Sequence, residues 1–95
     1  MARVSLSESI SASDPRPAAY ALLSASRQYI YKGACRNLKE RLRDHQAGRC
    51  PKTRHRRPLE LLHFEYCRDY SEALKMETFL KSGQGRKMLK SLLSE

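Results

Sequence analysis

The chain has 95 residues, enough for one domain with a single hydrophobic core and too few for two. Its 19 Lys and Arg residues outnumber its 10 Asp and Glu residues, and the resulting net charge of +9 favours a polyanionic partner such as nucleic acid. No apolar stretch is long enough for a signal peptide or a membrane span, and the three cysteines include no CxxC pair. We therefore expect a reduced cytoplasmic protein that does not bind a membrane.

The first segment, MARVSLSESISASDPRP, is rich in serine and ends in Pro-Arg-Pro. Its small side chains offer little apolar surface to bury, and the prolines disfavour a helix. We predict a flexible tail over residues 1–17 and a folded domain over residues 18–95. The alternation of serine from Ser5 to Ser13 leaves an edge strand as the alternative.

The next two segments, AYALLSA and RQYIYKGA, predict the strands of a β-hairpin with a turn near Ala25 and Ser26. A turn closed on those two residues would place Tyr20 opposite Tyr31, and a shifted turn would pair Tyr20 with Tyr29. Opposed residues on antiparallel strands point to the same face, so we expect two phenol groups to project together. Packing alone also explains such a tyrosine pair.

A helix is predicted from residue 38 to residue 46, because Asn37 is a favourable N-cap and Gly48 is a typical C-terminal stop. At about 100° per residue, Arg41 and His45 lie within or beside the apolar stripe of this helix. Arg41 is therefore expected at the seam between the helix and the hairpin. The alternative is an arginine whose stem covers the edge of the core while its charged head reaches water.

Positive charge is concentrated between residues 32 and 57, which contain ten Lys and Arg residues and two acidic residues. This segment carries a net +8, nearly all of the excess, and solubility does not require such a concentration. We predict that it contacts the phosphate backbone of nucleic acid, mainly through the basic loop over residues 49–57. A solvated basic face is the alternative. The predicted contact residues are Lys32, Arg36, Arg49, Lys52, Arg54, Arg56 and Arg57.

A third strand is predicted over residues 58–66, followed by a second helix that Asp69 and Glu72 cap. The apolar positions Tyr70, Ala73, Leu74 and Leu80 surround Glu77 in this helix, so its carboxylate is predicted to lie in the middle of the buried stripe. A buried carboxylate needs a cation, strong hydrogen bonds or a metal ion. An ion pair with Arg41 and a metal site for phosphodiester chemistry are both open. The last segment, GRKMLKSLLS, has apolar residues at helical spacing, which predicts core closure and no evident chemistry.

Taken together, these segments resemble the GIY-YIG nuclease superfamily over most of the chain beyond the tail. The first motif corresponds to AAY at residues 18–20 and the second to YKG at residues 31–33, followed by NLKERLRDH and by RRPLELLHFEYCRDYSEALKMETFLKSGQGR. The order of these short motifs makes the combination specific. The resemblance implies an α/β (α+β) fold with a three-stranded antiparallel sheet flanked by helices. It also implies a metal-dependent endonuclease of the small standalone bacterial or phage type.

Carried over position by position, the resemblance implies five catalytic groups. Tyr20 and Tyr31 are the motif tyrosines, one of which would orient or deprotonate the attacking water. Arg41 would stabilise charge on the scissile phosphate, and His45 would position the water or the leaving group. Glu77 is the expected metal ligand, holding Mg²⁺ or Mn²⁺ with waters completing the shell. DNA is the expected substrate, and no obligate protein partner is indicated.

The sequence departs from the family pattern at Ala18, where glycine is usual, and at Lys32, where an aliphatic residue is usual. Alternation along the strand would turn Lys32 away from the face of Tyr31. Gly33 is expected to allow a close backbone approach. The alternative function is a non-catalytic nucleic-acid-binding module that keeps the fold, although binding alone requires neither a buried Glu77 nor a pair of tyrosines.

Overall fold

A three-stranded antiparallel sheet organises the chain in a computed structural model that describes residues 5–93. The strand order is β2-β1-β3, so β1 is central. The predicted α+β fold with a three-stranded antiparallel sheet is confirmed. No helix within residues 5–93 is long and apolar enough to cross a membrane. The elements in chain order are α1 (Leu6–Ala12), β1 (Ala18–Ser24), β2 (Ile30–Cys35), α2 (Leu38–Ala47), a 3-10 helix (Arg54–Arg56), β3 (Leu59–Tyr66), α3 (Tyr70–Lys81) and α4 (Gly83–Leu92).

Helices cover both faces of the sheet, and the central strand supplies both cores. Every residue of β1 is buried, which fits a strand that packs against helices on both sides. Tyr20 and Leu22 face a cluster with α1 and α2, whereas Ala19 and Ala21 face a cluster with α3 and α4. The small alanines on the second face let α3 approach the sheet closely. Alternate residues of β1 therefore face two different cores, one on each side of the sheet.

The predicted boundaries of α2, residues 38–46, agree with the structure to within one residue. The Asn37 side chain accepts a hydrogen bond from the backbone N–H of Glu40 at 3.0 Å and begins α2. Gly48 ends this helix in the left-handed conformation, with φ of 80°, and its N–H donates to the last turn. Asp69 begins α3 in the same way, accepting from the N–H of Glu72 at 2.9 Å.

Residues 5–17 do not form the flexible tail that is predicted over residues 1–17, because they include a helix. Residues 1–4 lie outside the described part of the chain. Ser5 and Glu8 form a capping box that begins α1. Leu6 and Ile10, four residues apart on one face of this short helix, are both buried against α2 and β3. Two apolar residues at helical spacing therefore supply the buried surface that a serine-rich composition does not reveal.

The hairpin register differs from the predicted one by two residues. Tyr20 lies opposite Gly33, and Tyr31 lies opposite Leu22. The predicted two-residue turn is replaced by a longer loop in which Arg27 adopts a positive φ of 63°. A tight hairpin turn needs glycine or asparagine, and the sequence offers neither here. Because the shift is an even number of residues, the two tyrosines still share one face of the sheet.

Candidate active site

Tyr20 is the buried centre of the site, and its position depends on a glycine in the neighbouring strand. Only 1% of its surface is exposed, and its ring lies over Gly33 of β2. A Cβ atom at Gly33 would stand 2.7 Å from the phenol oxygen and from Cζ of Tyr20, closer than real side chains approach. The expected close approach at Gly33 is therefore made by the ring of Tyr20.

A chain of hydrogen bonds leads from Tyr20 through His45 to Thr53. The Tyr20 hydroxyl lies 2.7 Å from Nε2 of His45, and Nδ1 of His45 lies 2.7 Å from Oγ1 of Thr53. All three side chains are buried, so neither ring nitrogen of His45 is free to take another partner. A neutral imidazole donates at one nitrogen and accepts at the other, which gives this chain a direction. Sequence reasoning does not identify Thr53. In the sequence it is only one of the uncharged residues of the basic loop.

Burial keeps both ends of the Tyr20–His45 contact uncharged at neutral pH. Desolvation, assisted by the positive charge of Arg41, lowers the pKa of His45 to about 4. Desolvation, assisted by neighbouring Tyr31, raises the pKa of Tyr20 well above its ordinary value. A neutral imidazole hydrogen-bonded to a protonated phenol is therefore the resting state, and it is suited to holding groups in place.

Tyr31 stands beside this chain but is only half-buried. Its ring centroid lies 6.2 Å from that of Tyr20 and 5.3 Å from that of His45. Burial, Cys50 and Glu77 raise the pKa of Tyr31, and Arg41 lowers it. The predicted face shared by the two tyrosines is thus present, although they meet diagonally. Of the two phenols, Tyr31 is the one that reaches an open pocket.

That pocket lies between β2, the basic loop and α3, with a volume of about 350 Å³. Lys52 and Lys81 both line it, and Glu77 contributes a carboxylate. Its lining residues are Tyr29, Ile30, Tyr31, Lys32, Lys52, Glu77 and Lys81. Mixed charge around a phenol makes this opening the best candidate for a place where a phosphate group could bind.

Glu77 does not lie in the middle of the buried stripe, as predicted, but at its edge. The buried side of α3 is formed by Ala73, Met76 and Leu80, whereas Leu74 is 41% exposed. At about 100° per residue, Glu77 lies about 40° beyond Ala73, the nearest residue of that side. The predicted stripe is misplaced because it includes Leu74, which faces solvent.

The carboxylate of Glu77 is 21% exposed, and its ion-pair partner is Lys81 at 3.4 Å, one turn further along α3, rather than Arg41. Residues 5–93 contain no group of three or more His, Cys, Asp or Glu side chains able to hold a metal ion. Magnesium is commonly held by one or two carboxylates, with waters and substrate phosphates completing the shell. A single carboxylate in an open pocket fits that pattern.

Lysines around the same pocket oppose a bare cation and favour an anion. Arg41 lies beside the site rather than within it. Its Nη1 lies 3.9 Å from Sγ of Cys50, and its charge acts on Tyr20, Tyr31 and His45. The side chain is exposed, so its guanidinium remains available to a ligand. This exposure also fits the alternative, an arginine whose charged head reaches water. Of the five predicted catalytic side chains, Tyr20, Tyr31 and His45 are in mutual contact, Glu77 lines the pocket beside Tyr31, and Arg41 acts on the three rings through its charge.

The seven predicted nucleic-acid contacts divide into two groups. Lys32 and Lys52 line the pocket, and the guanidinium of Arg56 stacks on the ring of Tyr29 at 3.8 Å, at the pocket wall. Arg54 is exposed on the 3-10 helix that also carries Arg56. Of these four cations, Lys32, Lys52 and Arg56 lie at the pocket.

The remaining three have partners elsewhere in the protein. Arg57 donates to the backbone carbonyls of Gln46 and Arg54 at 3.1 and 3.0 Å and so closes the end of α2. Arg49 pairs with Asp44 at 2.8 Å. Arg36 stacks on the ring of Tyr70. Arg57 therefore has a structural role in the fold, and its contact with nucleic acid stays a prediction.

Residues 17–90 of the chain match the family model of the GIY-YIG catalytic domain. The chain belongs to the GIY-YIG family. This confirms the resemblance inferred from the two motifs, and in the GIY-YIG domain the motif residues Tyr20 and Gly33 are directly opposed across β1 and β2. Members of the family are typically endonucleases acting on nucleic acid, and they generally use divalent metal ions.

Two curated bacterial proteins are similar to this chain. A UPF0213 protein of Lactiplantibacillus plantarum is 42% identical over 76 residues, which cover 77% of this chain and 74% of the relative. A UPF0213 protein of Listeria innocua is 39% identical over 75 residues, covering 78% of this chain and 82% of the relative. No solved structure matches the chain. The names of these relatives state no activity.

Proposed function

We propose that this protein is a metal-dependent endonuclease that hydrolyses phosphodiester bonds in DNA. The observation that supports the proposal most strongly is the union of a half-buried phenol, Tyr31, with the carboxylate of Glu77 in one basic pocket. A module that only bound the phosphate backbone would need the lysines of this pocket but not its carboxylate. A nick is the expected product, because one small site faces one strand at a time.

Tyr31 is proposed as the group that orients the attacking water and accepts its proton. Tyr20 is less suited to this role, because its deep burial and its contact with His45 keep its phenol protonated. Tyr31 borders the pocket, and the negative charge of Glu77 is one of the causes that raise its pKa. A cation held at Glu77 would cancel that cause and favour the phenolate.

The other groups of the site would hold the reactants in place. Tyr20, fixed by His45, supports the ring of Tyr31 from within the core. Arg41 would stabilise the charge that develops on the phosphate as water attacks phosphorus and the bond to the leaving oxygen breaks. Glu77 would hold Mg²⁺, which supplies charge neutralisation at the phosphate when it is bound. Lys52 and Lys32 would bind phosphates next to the scissile one.

The test offers supercoiled plasmid, a single strand and a branched duplex to the purified protein, with Mg²⁺, with Mn²⁺ and with EDTA. We expect relaxed circles in the presence of either metal and none in EDTA. Glu77→Gln should abolish cleavage. Glu72→Gln is the matched control, because it makes the same change in charge on the same helix at a residue bound to Arg68.

The opposite result would be a wild-type protein that shifts these substrates in a salt-sensitive gel and cuts none of them with any metal. The non-catalytic binding module would then be the better description, since backbone binding weakens steeply with salt whether or not cleavage follows. Equal cleavage by Glu77→Gln and by the wild type would instead remove Glu77 from the chemistry.

A further inference from the structure

Helix α4 carries cations whose charge acts on Lys32 at the pocket, in a part of the chain that the sequence predicts to have only a structural role. Leu89 of this helix is buried, and Met88 and Leu92 pack beside it against the sheet. Arg86 and Lys90 are four residues apart and therefore share one side of the helix, and both are exposed. The helix is thus amphipathic, with a basic side.

The basic side of α4 joins the pocket through Lys81 and Lys32. Nη1 of Arg86 donates a hydrogen bond to the backbone carbonyl of Lys81 at 2.7 Å, which fixes the end of α3 against the start of α4. Lys81 and Lys32 both line the pocket. Burial, together with the positive charges of Arg86, Lys81 and Lys90, lowers the pKa of Lys32. Four cations from three elements therefore act on one another at this edge of the sheet.

Mutual repulsion makes such a cluster unfavourable in the isolated protein, and an anionic ligand relieves it. Cations from two separate parts of the chain therefore act at the pocket. Lys52 and Arg56 come from the basic loop, and the cluster of Lys32, Lys81, Arg86 and Lys90 comes from β2, α3 and α4. A single free phosphate would need only one of these groups, whereas a nucleic-acid strand carries a phosphate at every nucleotide.

We propose that Arg86 and Lys90 form a second phosphate-binding surface, so that a nucleic-acid strand crosses the pocket from the basic loop to α4. This inference rests on the proposed function, because it takes the pocket as the place of the scissile phosphate. It assigns binding residues to a segment of the chain outside the predicted basic block. The strand would be held on both sides of the bond to be cut, which limits its freedom to slide.

The experiment measures binding of a fluorescein-labelled DNA duplex of about 20 base pairs in EDTA, as a function of salt concentration. Arg86→Gln and Lys90→Gln should each weaken binding several-fold and reduce the slope of log K against log salt by about 1, and the double variant should reduce it by about 2. Lys75→Gln is the matched control, since Lys75 is exposed on α3, points about 160° away from Glu77 around that helix, and is not among the charges that act on Lys32.

Several outcomes would overturn the proposal. A double variant with the wild-type salt slope, while Lys52→Gln weakens binding, would confine the strand to the basic loop. An equal loss in Lys75→Gln would reduce the effect to net charge alone. A wild-type protein that binds no DNA at any salt concentration would instead remove the proposed function together with this inference. A circular dichroism spectrum of each variant checks that α4 remains folded.

Discussion

The two halves of the candidate site differ in how far their polar groups are satisfied within the protein. On the inner half, Tyr20, His45 and Thr53 are buried and joined by two hydrogen bonds of 2.7 Å. On the outer half, the hydroxyl of Tyr31 has no hydrogen-bond partner among residues 5–93, and Glu77 is paired with the exposed Lys81. Satisfied neutral groups resist change, whereas exposed unpaired groups can exchange partners when a ligand arrives. The difference suggests that the inner half positions and the outer half reacts.

The largest expected effect separates the two tyrosines. Tyr31→Phe should lower the rate of DNA cleavage by about 10² to 10⁴, as the loss of a general base does, with the stability of the protein unchanged. Tyr20→Phe leaves a ring nitrogen of His45 without its partner and should lower the free energy of unfolding by about 1–3 kcal/mol. Cleavage kinetics and urea denaturation of both variants measure the two effects. If Tyr20→Phe removed activity with full stability while Tyr31→Phe cleaved normally, the roles would be reversed.

The next effect concerns the pH dependence of stability that His45 contributes. Its pKa is about 4 in the folded protein, whereas an exposed histidine has a pKa of 6.5, so the unfolded chain binds the proton more readily. The contribution is therefore fully present above pH 6.5 and is lost as the pH falls towards 4, by roughly 3 kcal/mol in all. Other groups also titrate in this range, so the comparison needs a variant without the imidazole.

Urea denaturation of the wild type and of His45→Gln, at pH values from about 7.5 down to about 4.5, isolates this contribution. The difference in unfolding free energy between the two proteins should shrink as the pH falls. A difference that stays constant over the range would show that the imidazole keeps an ordinary pKa, and the inner half would then be more open to water than its burial indicates.

A smaller effect is expected from Thr53, the residue that fixes the far nitrogen of His45. Thr53→Val keeps the shape and removes the hydroxyl, which leaves Nδ1 unpaired and should cost about 1–2 kcal/mol of stability. Thr53→Ser keeps the hydroxyl and should remain close to the wild type. Nitrogen-15 shifts of the His45 ring would report whether its tautomer is redistributed. Equal stability and equal ring shifts in both variants would mean that the contact is incidental.

Much of the fold could be predicted because its signals are local. The caps at Asn37, Gly48 and Asp69 are read from single residues, and the structure uses each of them. The hairpin register could not be predicted in the same way, because it depends on a loop in which Arg27 takes an unusual backbone conformation. Helix α1 could not be predicted because its composition is typical of disorder. It is stabilised by the burial of Leu6 and Ile10, which requires the surface that α2 and β3 provide in the folded protein.

The candidate site shows the same limit. Tyr20, Tyr31 and Gly33 carry motif signals, and so they could be placed from the sequence. Thr53 could not, because its contact with His45 depends on the path of the basic loop. The cations of α4 could not either, since only the packing of α3 and α4 against the sheet brings Arg86 near Lys32. Tertiary contacts between charged surface residues leave no periodic trace in a sequence.

The smallest expected effect tests the outer half directly, through the ion pair between Glu77 and Lys81. Lys81 is 57% exposed at its side chain, and pairs of this kind contribute about 0.2–1 kcal/mol. Lys81→Met should therefore raise the affinity for Mn²⁺ in the absence of DNA by up to about five-fold, as measured by the paramagnetic resonance signal of free Mn²⁺. Lys75→Met serves as the control on the same helix, and Glu77→Gln should abolish the specific signal in either background. A lower affinity in Lys81→Met would mean that Lys81 orients the carboxylate for the metal rather than competing with it, and the ion pair would then belong with the positioning groups of the inner half.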